Sequence, residues 1–439
     1  MASPLPVSRA TSAEFYTHQL PNGLQLLGQR MPDLESISVC FEARTGARDE
    51  HDQALWGVSH FLEHMVFKGT AKRDTEQITL DFNKMGAENN AFTSVEETMY
   101  YARVLREYLP DAVELLSDMM RPRLDAGDFS MERNVILEEI ARSEDQPSNQ
   151  AYRKLMTTFF AGTSLAHEVL GTKESIRDMT VEQMRAYWEK RYAANNLTFA
   201  IAGNFEWPRV VELVARYCGD WGTGESGRQA QPIAPEAASA RVLVKPQQKQ
   251  QIMGVASPWV SMQDKDFYAA YLASMVLGDG TGSRYFWNIF QKGLAETASA
   301  SMAPYDQTGM VVTWINTSPE HAPAVLELAR AELKGLQEDG VREDELRRAK
   351  DKLVSHVVLD GESAFSRMRD LTYTWYAEHR LRTIEEEMAE IERVTLEDVR
   401  RVLDRYPLTE RQVFTAYGPL EASAFALPAE TQTMVGERE

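Results

Sequence analysis

Cysteine is nearly absent from this chain: 439 residues carry only two, Cys40 and Cys218, far apart in sequence. They fit neither a disulfide framework nor a CxxC metal or redox pair, so both are expected to be buried bystanders. Long apolar runs are lacking as well. No stretch approaches the 18 or more consecutive apolar residues of a membrane helix, and the softest one, 267–278, is interrupted by Tyr268, Tyr271 and Ser274. No membrane-spanning segment is expected. Positive charge is also short: 47 Lys and Arg face 66 Asp and Glu, a formal net charge of −19. That balance opposes phosphate backbones and anionic membranes and can favour basic ligands, so neither nucleic acid nor a membrane is an expected partner. Residues 1–6 hold two prolines and lack the charged start and apolar core of a secretory signal, which makes the cytoplasm the expected compartment.

What is present is an ordinary folded composition, 43% apolar and 26% charged, long enough for two or three domains at about 150 residues each. Pro21-Asn22-Gly23 between short apolar stretches reads as a hairpin turn. Helical spacing begins near Glu50 and runs through His60 to Phe67, and it returns over 109–120, 130–143 and 180–192. Residues 90–101 alternate as one strand, and Leu197 to Gly203 reads as a compact buried strand. The fold class is therefore α+β.

The chain also repeats itself. Ile176-Arg177-Asp178-Met179-Thr180-Val181-Glu182-Gln183-Met184-Arg185 matches Ile391-Glu392-Arg393-Val394-Thr395-Leu396-Glu397-Asp398-Val399-Arg400 in pattern, and each leads through a helix and an apolar strand to a glycine, Gly203 or Gly418, at the same offset. Two matches at one offset predict two tandem homologous domains, each a mixed sheet packed with helices. Residues 222–240, rich in Gly, Ala, Ser, Gln and Pro, read as an exposed linker between a first domain over 1–221 and a second over 241–439.

The residues richest in chemistry are His60-Phe61-Leu62-Glu63-His64. On a helix His60 and His64 lie one above the other, and Glu63 falls beside that face. Two imidazoles with a nearby carboxylate suit a zinc ion, which would need one more protein ligand and an open position for water, with Glu63 taking the proton. Glu132, Glu138 and Glu139 share one candidate helix; the first and last are seven apart, on one face, whereas Glu138 is turned by about 100° toward solvent. His51 reads as a loop residue, and no motif surrounds His167, His321, His356 or His379. The glycine-rich stretch Gly278-Asp279-Gly280-Thr281-Gly282-Ser283 lacks the Gly-Lys-Ser/Thr of a phosphate loop and reads as a turn entering a helix.

His-x-x-Glu-His is the inverted zincin motif, and its surroundings resemble the pitrilysin and insulin-degrading family of zinc peptidases, closest to the mitochondrial processing peptidase subfamily. The resemblance is carried by Leu20-Pro21-Asn22-Gly23-Leu24, by Gly57-Val58-Ser59 before the motif and Met65-Val66-Phe67-Lys68-Gly69-Thr70 after it, and by Asn90-Ala91-Phe92-Thr93-Ser94. It continues in Glu132-Arg133-Asn134-Val135-Ile136-Leu137-Glu138-Glu139-Ile140 and Leu170-Gly171-Thr172-Lys173-Glu174-Ser175-Ile176. It implies a zinc endopeptidase of unfolded peptides with one zinc per chain, held by His60, His64 and Glu139. Glu63 would be the general base and acid, and Glu132 a supporting carboxylate of the catalytic site. The strand Asn90, Ala91, Phe92 and Thr93 would receive the substrate as an added strand.

Two domains would make half of a clamshell chamber. Where the family's second half carries an Arg and, seven residues on, a Tyr, this chain has Ile289 and Glu296. The implied partner is a homologous subunit without the metal motif that supplies the missing Arg/Tyr pair in a heterodimer. The rival reading is a noncatalytic core or scaffold subunit of a larger assembly.

Overall fold

The computed structural model describes residues 14–228, 233–235 and 237–427, together with the backbone of 432–435. The reading of residues 1–6 as lacking a signal lies outside the described residues. The first half builds a six-stranded sheet from β1 (Glu14–Gln19), β2 (Gln25–Arg30), β3 (Ser36–Ala43), β4 (Glu88–Thr93), β5 (Thr98–Leu105) and β6 (Leu197–Gly203), in the order β1-β2-β6-β3-β5-β4. The second half builds another from β7 (Ser239–Val244), β8 (Gln251–Pro258), β9 (Thr297–Tyr305), β10 (Thr308–Thr317), β11 (Val413–Gly418) and β12 (Gln432–Val435), in the order β12-β7-β11-β8-β10-β9.

The two sheets correspond strand for strand except at one edge. Parallel β2 and β6 match parallel β7 and β11, and the antiparallel neighbours that follow match in turn. At the remaining edge β1 is antiparallel to β2, whereas β12 is parallel to β7. The glycines that mark the repeat end β6 and β11 with φ of +124° and +154°. A Cβ at Gly203 would collide with the Ser36 carbonyl oxygen, and one at Gly418 with the Gln251 side chain, so both ends need glycine. The repeated helices Val181–Arg191 and Leu396–Arg405 each start from a threonine cap, Thr180 or Thr395, in a reciprocal capping box.

Three expectations change. Residues 90–101 are not one strand: β4 and β5 form a hairpin through Ser94 to Glu97. The Ser94 hydroxyl oxygen accepts the Glu96 and Glu97 amides at 3.2 and 3.1 Å, so a side-chain turn outweighs alternation. The helical spacing from Glu50 resolves into one short 3-10 turn, Gln53–Leu55, before the helix Val58–Val66. The stretch 222–240, of which 229–232 and 236 lie outside the described residues, is not uniformly an exposed linker. β7 begins inside it at Ser239, and Arg228 is buried against Asp49 at 2.8 Å.

Each sheet is closed on one face by its own half and on the other by a helix from the opposite half. The helix Pro147–Phe159 places Leu155, Met156 and Phe159 against Ala256, Met310, Val312 and Val413 of the second sheet. The helix Ala364–Glu378 places Ala364, Met368 and Leu371 against Leu27, Cys40, Met99, Ala200 and Ala202 of the first. Arg367 extends this seam by donating to Gln29 at 2.7 Å. Both cysteines are free and buried, Cys40 in this seam and Cys218 in the first core. A fully buried methionine in such a seam contributes to both halves, so Met368→Ala should cost about 2–5 kcal/mol. Hydrogen exchange should then quicken in β2, β3 and β6 as well as in the helix itself; quickening confined to the second half would show that the two halves are energetically separate.

Candidate metal centre

The histidine helix, Val58–Val66, turns Val58, Phe61, Leu62 and Met65 into the first core, which leaves His60, Glu63 and His64 half-buried on the other side. Its N-cap, Gly57, has no side chain to bond the first amides. Glu50 takes that place from outside the helix, accepting the Gly57 and Ser59 amides at 2.7 and 2.8 Å. Burial pushes the Glu50 carboxyl up, against the opposing pull of His167 and the two amides. His167 lies 3.2 Å from Glu50 and stacks on Trp56 at 4.7 Å between ring centroids. Ser59 is held in turn by the Tyr187 hydroxyl at 2.7 Å, itself 2.6 Å from Thr45 Oγ1. Sequence reasoning missed Glu50, His167 and Tyr187. The available signal was a helix start without a capping side chain, which requires an acceptor from elsewhere.

The glutamate helix, Ala126–Glu144, begins at Asp125, which caps Gly127 and Asp128, and it buries Phe129, Glu132, Ile136 and Ile140. Phe129 stacks on Phe61 at 4.4 Å between centroids, locking this helix to the histidine helix. The lock brings Glu139 Oε2 to 3.7 Å from His60 Nε2 and 3.8 Å from His64 Nε2. Glu132, two turns earlier on the same face, lies 2.8 Å from His64 Nδ1 and accepts Lys68 Nζ at 2.6 Å. Glu138 is exposed, as is His51.

Burial and the neighbouring acids set the charge states of these groups, and the net effect is opposite on the two imidazoles. Burial, followed by the proximity of His64, holds His60 down to about 4, so its imidazole is neutral near pH 7. Burial would also lower His64, but the Glu132 hydrogen bond and the charges of Glu139 and Glu63 outweigh it and leave the group raised. Burial would raise Glu132, and His64 and Lys68 together hold it below the usual carboxylate range. Glu63 is pushed up by burial, with Thr93 opposing as its hydroxyl donates to Glu63 Oε2 at 2.6 Å.

Donor atoms of His60, His64 and Glu139 all lie within 4.8 Å of one another, the one such cluster among the described residues. Two imidazoles and a carboxylate are the protein donors of a catalytic zinc site with bonds of about 2.0–2.2 Å, so the residues present fit that ion. Glu132 on Nδ1 leaves His64 Nε2 as the ligating atom, whereas His60 Nδ1 is buried without a hydrogen-bond partner.

The other sequence-derived residues distribute as follows. β4 is the edge strand of the first sheet, beside the histidine helix. Thr93 faces Glu63, Ala91 enters the first core, Phe92 turns toward the second half under the Arg369 guanidinium, and Asn90 is exposed. In the second half Ile289 is buried in the core and Glu296 is exposed. Arg284 is engaged by Glu345 and the Gly340 carbonyl at 2.8 Å each, and the fully buried Tyr285 hydroxyl lies 2.8 Å from Thr313 Oγ1. The glycine-rich stretch enters a short π-helical turn, Phe286–Phe290.

Comparison with known proteins bears on the family and the fold. Residues 32–173 match the family described as insulinase, peptidase family M16, and residues 178–353 match the peptidase M16 inactive domain. An uncharacterized zinc protease of Streptomyces coelicolor is 33% identical over 413 residues, covering 92% of this chain and 89% of its own. One of Mycobacterium tuberculosis is 31% identical over 428 residues, covering 95% and 96%. A crystal structure of a peptidase M16 inactive domain from Pseudomonas fluorescens superposes with a TM-score of 0.87 over 93% of this chain and 98% of that one, at 21% identity. With both halves matched in order and the fold shared throughout, this chain belongs to the M16 family of peptidases, the insulinase or pitrilysin family.

Proposed function

We propose that the chain is a catalytic, zinc-bearing endopeptidase subunit of the processing-peptidase type, acting on unfolded peptides. The observation that carries this reading is Glu63, held by Thr93 beside the converged donors of His60, His64 and Glu139. His60, His64 and Glu139 would hold a zinc ion, which when bound would supply Lewis acidity to a scissile carbonyl and to water. Thr93 occupies Glu63 Oε2, so Oε1 is the atom assigned to accept the proton from water and return it to the leaving amine. Glu132 is a positioning residue that acts through His64.

The free edge of β4 offers backbone amides and carbonyls to a peptide added as a further strand, with Asn90, Ala91, Phe92 and Thr93 as its contact. A homologous partner subunit completes the chamber and supplies an Arg/Tyr pair. A scaffold, by contrast, would have no use for the three converged donors or for the Glu63 hydrogen bond.

Metal analysis of the purified protein tests the ligand set. One zinc per chain is expected. His64→Ala or Glu139→Gln should release it, and Glu138→Gln should keep it because that carboxylate is exposed on another face. Equal zinc loss in both Glu variants would remove Glu139 as the third ligand, and a wild-type chain without stoichiometric zinc would favour the scaffold.

A further inference from the structure

A cavity of about 470 Å3 lies between the first sheet and the helices of the second half. Its walls carry Glu42 from β3, Glu97 from the β4–β5 turn, and Asp360, Asp370 and Glu387 from the second half. Along β3, Glu42 shares the face of Cys40, so it points away from the core that receives the histidine helix. The cavity is therefore separate from the metal centre.

Glu42 is the unusual member. It is fully buried, and neither carboxylate oxygen has a hydrogen-bond partner. The Thr372 and Tyr376 hydroxyls lie beside it and draw its carboxyl down, but their protons are directed elsewhere, from Thr372 to the Arg369 carbonyl at 2.9 Å and from Tyr376 to Thr198 at 3.1 Å. The basic residues on the walls are Arg369 and His356. Arg369 lies over the Phe92 ring at 5.5 Å, and its charge pulls the carboxyls of Glu42 and Glu97 down without a close ion pair to either among the described residues. Asp370 is partnered by Arg367 at 3.2 Å, and Glu387 accepts the Tyr268 hydroxyl at 3.0 Å. Burial pushes the carboxyls of Glu42 and Glu97 up, and Glu97 pushes Glu42 further. An acidic group buried in this way is stabilised by any cation that reaches it.

The acids do not converge as metal ligands do, since the one compact donor cluster among the described residues is His60, His64 and Glu139. Spread acids suit an extended cation. Met99, Leu353 and Val357 offer an apolar wall for an aliphatic stem, and Tyr271 and Tyr373 offer ring faces for a cationic head.

We propose that this cavity binds an organic cation, an alkylammonium or guanidinium group on an apolar stem, with Glu42 and Glu97 as its counter-ions. The same chemistry is carried by a free polyamine and by a Lys or Arg side chain of a peptide. Isothermal titration calorimetry of the full chain at low ionic strength, with spermidine, N-acetylarginine amide and Mg2+ as separate probes, tests it. Saturable binding of at least one organic probe is expected. Glu42→Gln and Glu97→Gln should each weaken it tenfold or more, whereas the exposed Glu138→Gln should leave it unchanged. Glu97 lies in a turn, so its variant keeps the test open if Glu42→Gln does not fold. Preference for spermidine assigns the site to a free polyamine, and preference for the arginine amide assigns it to a peptide side chain. Binding of neither probe, binding undiminished in the folded variants, or equal competition by Mg2+ overturns the proposal.

Discussion

Glu63→Gln should keep its full complement of zinc and lose at least about 100-fold in peptide turnover. The substitution preserves shape and the acceptor oxygen for Thr93, which donates to Glu63 Oε2 at 2.6 Å, but it removes the group able to take a proton. The metal should be indifferent to the change, because the converged donors are those of His60, His64 and Glu139. Metal analysis alongside cleavage of a quenched-fluorescent peptide checks both halves of this expectation. Zinc lost together with activity would make Glu63 a ligand, and its role as base would fall.

The second large effect concerns the chain by itself. Removing one donor to a developing oxyanion costs on the order of 100-fold to 1000-fold in other enzymes, and under the proposed reading Ile289 and Glu296 stand at both places where an Arg and a Tyr are expected. Ile289 is buried in the second core and Glu296 bears an acid that cannot stabilise negative charge. Arg284 and Tyr285 do not substitute, since Glu345 and Thr313 already engage them. The isolated chain should therefore cleave peptides 100-fold or more slowly than the chain mixed with a homologous partner that carries the pair. The same fluorescent assay, run with and without that partner and over a dilution series, decides it. Full turnover by the chain alone, undiminished on dilution, would defeat the partnership.

Much of the centre could be read from spacing, because a helix converts sequence separation into direction. His60, Glu63 and His64 fall on one side of a single helix, and Glu132 and Glu139 on one side of another, so their grouping needed only periodicity. The tandem repeat was readable for a similar reason: Gly203 and Gly418 end equivalent strands where a side chain would meet backbone or a packed side chain. What the sequence hid is what periodicity does not encode. The apolar faces of Pro147–Phe159 and Ala364–Glu378 state that each helix must be covered but not by which sheet. Nothing in the sequence singles out Glu50, because its task, satisfying amides at Gly57 and Ser59, depends on a close approach that only the fold creates. Arg228 looked like linker for the same reason, as its partner Asp49 is distant in sequence. Ser94 broke a strand through its own hydroxyl, a local effect that alternation alone does not reveal.

The crossing of those two helices bears on ancestry. A chain whose halves each close the other's sheet has the contacts of a domain-swapped dimer whose subunits have been joined end to end. In such a descent, a single-copy ancestor would already have buried both sheet faces by pairing with itself. Duplication and fusion would then add a covalent joint, not a new interface. Once fused, the copies would be free to diverge, so that the donors of His60, His64 and Glu139 need stand in one half only while the other goes on lending its helix.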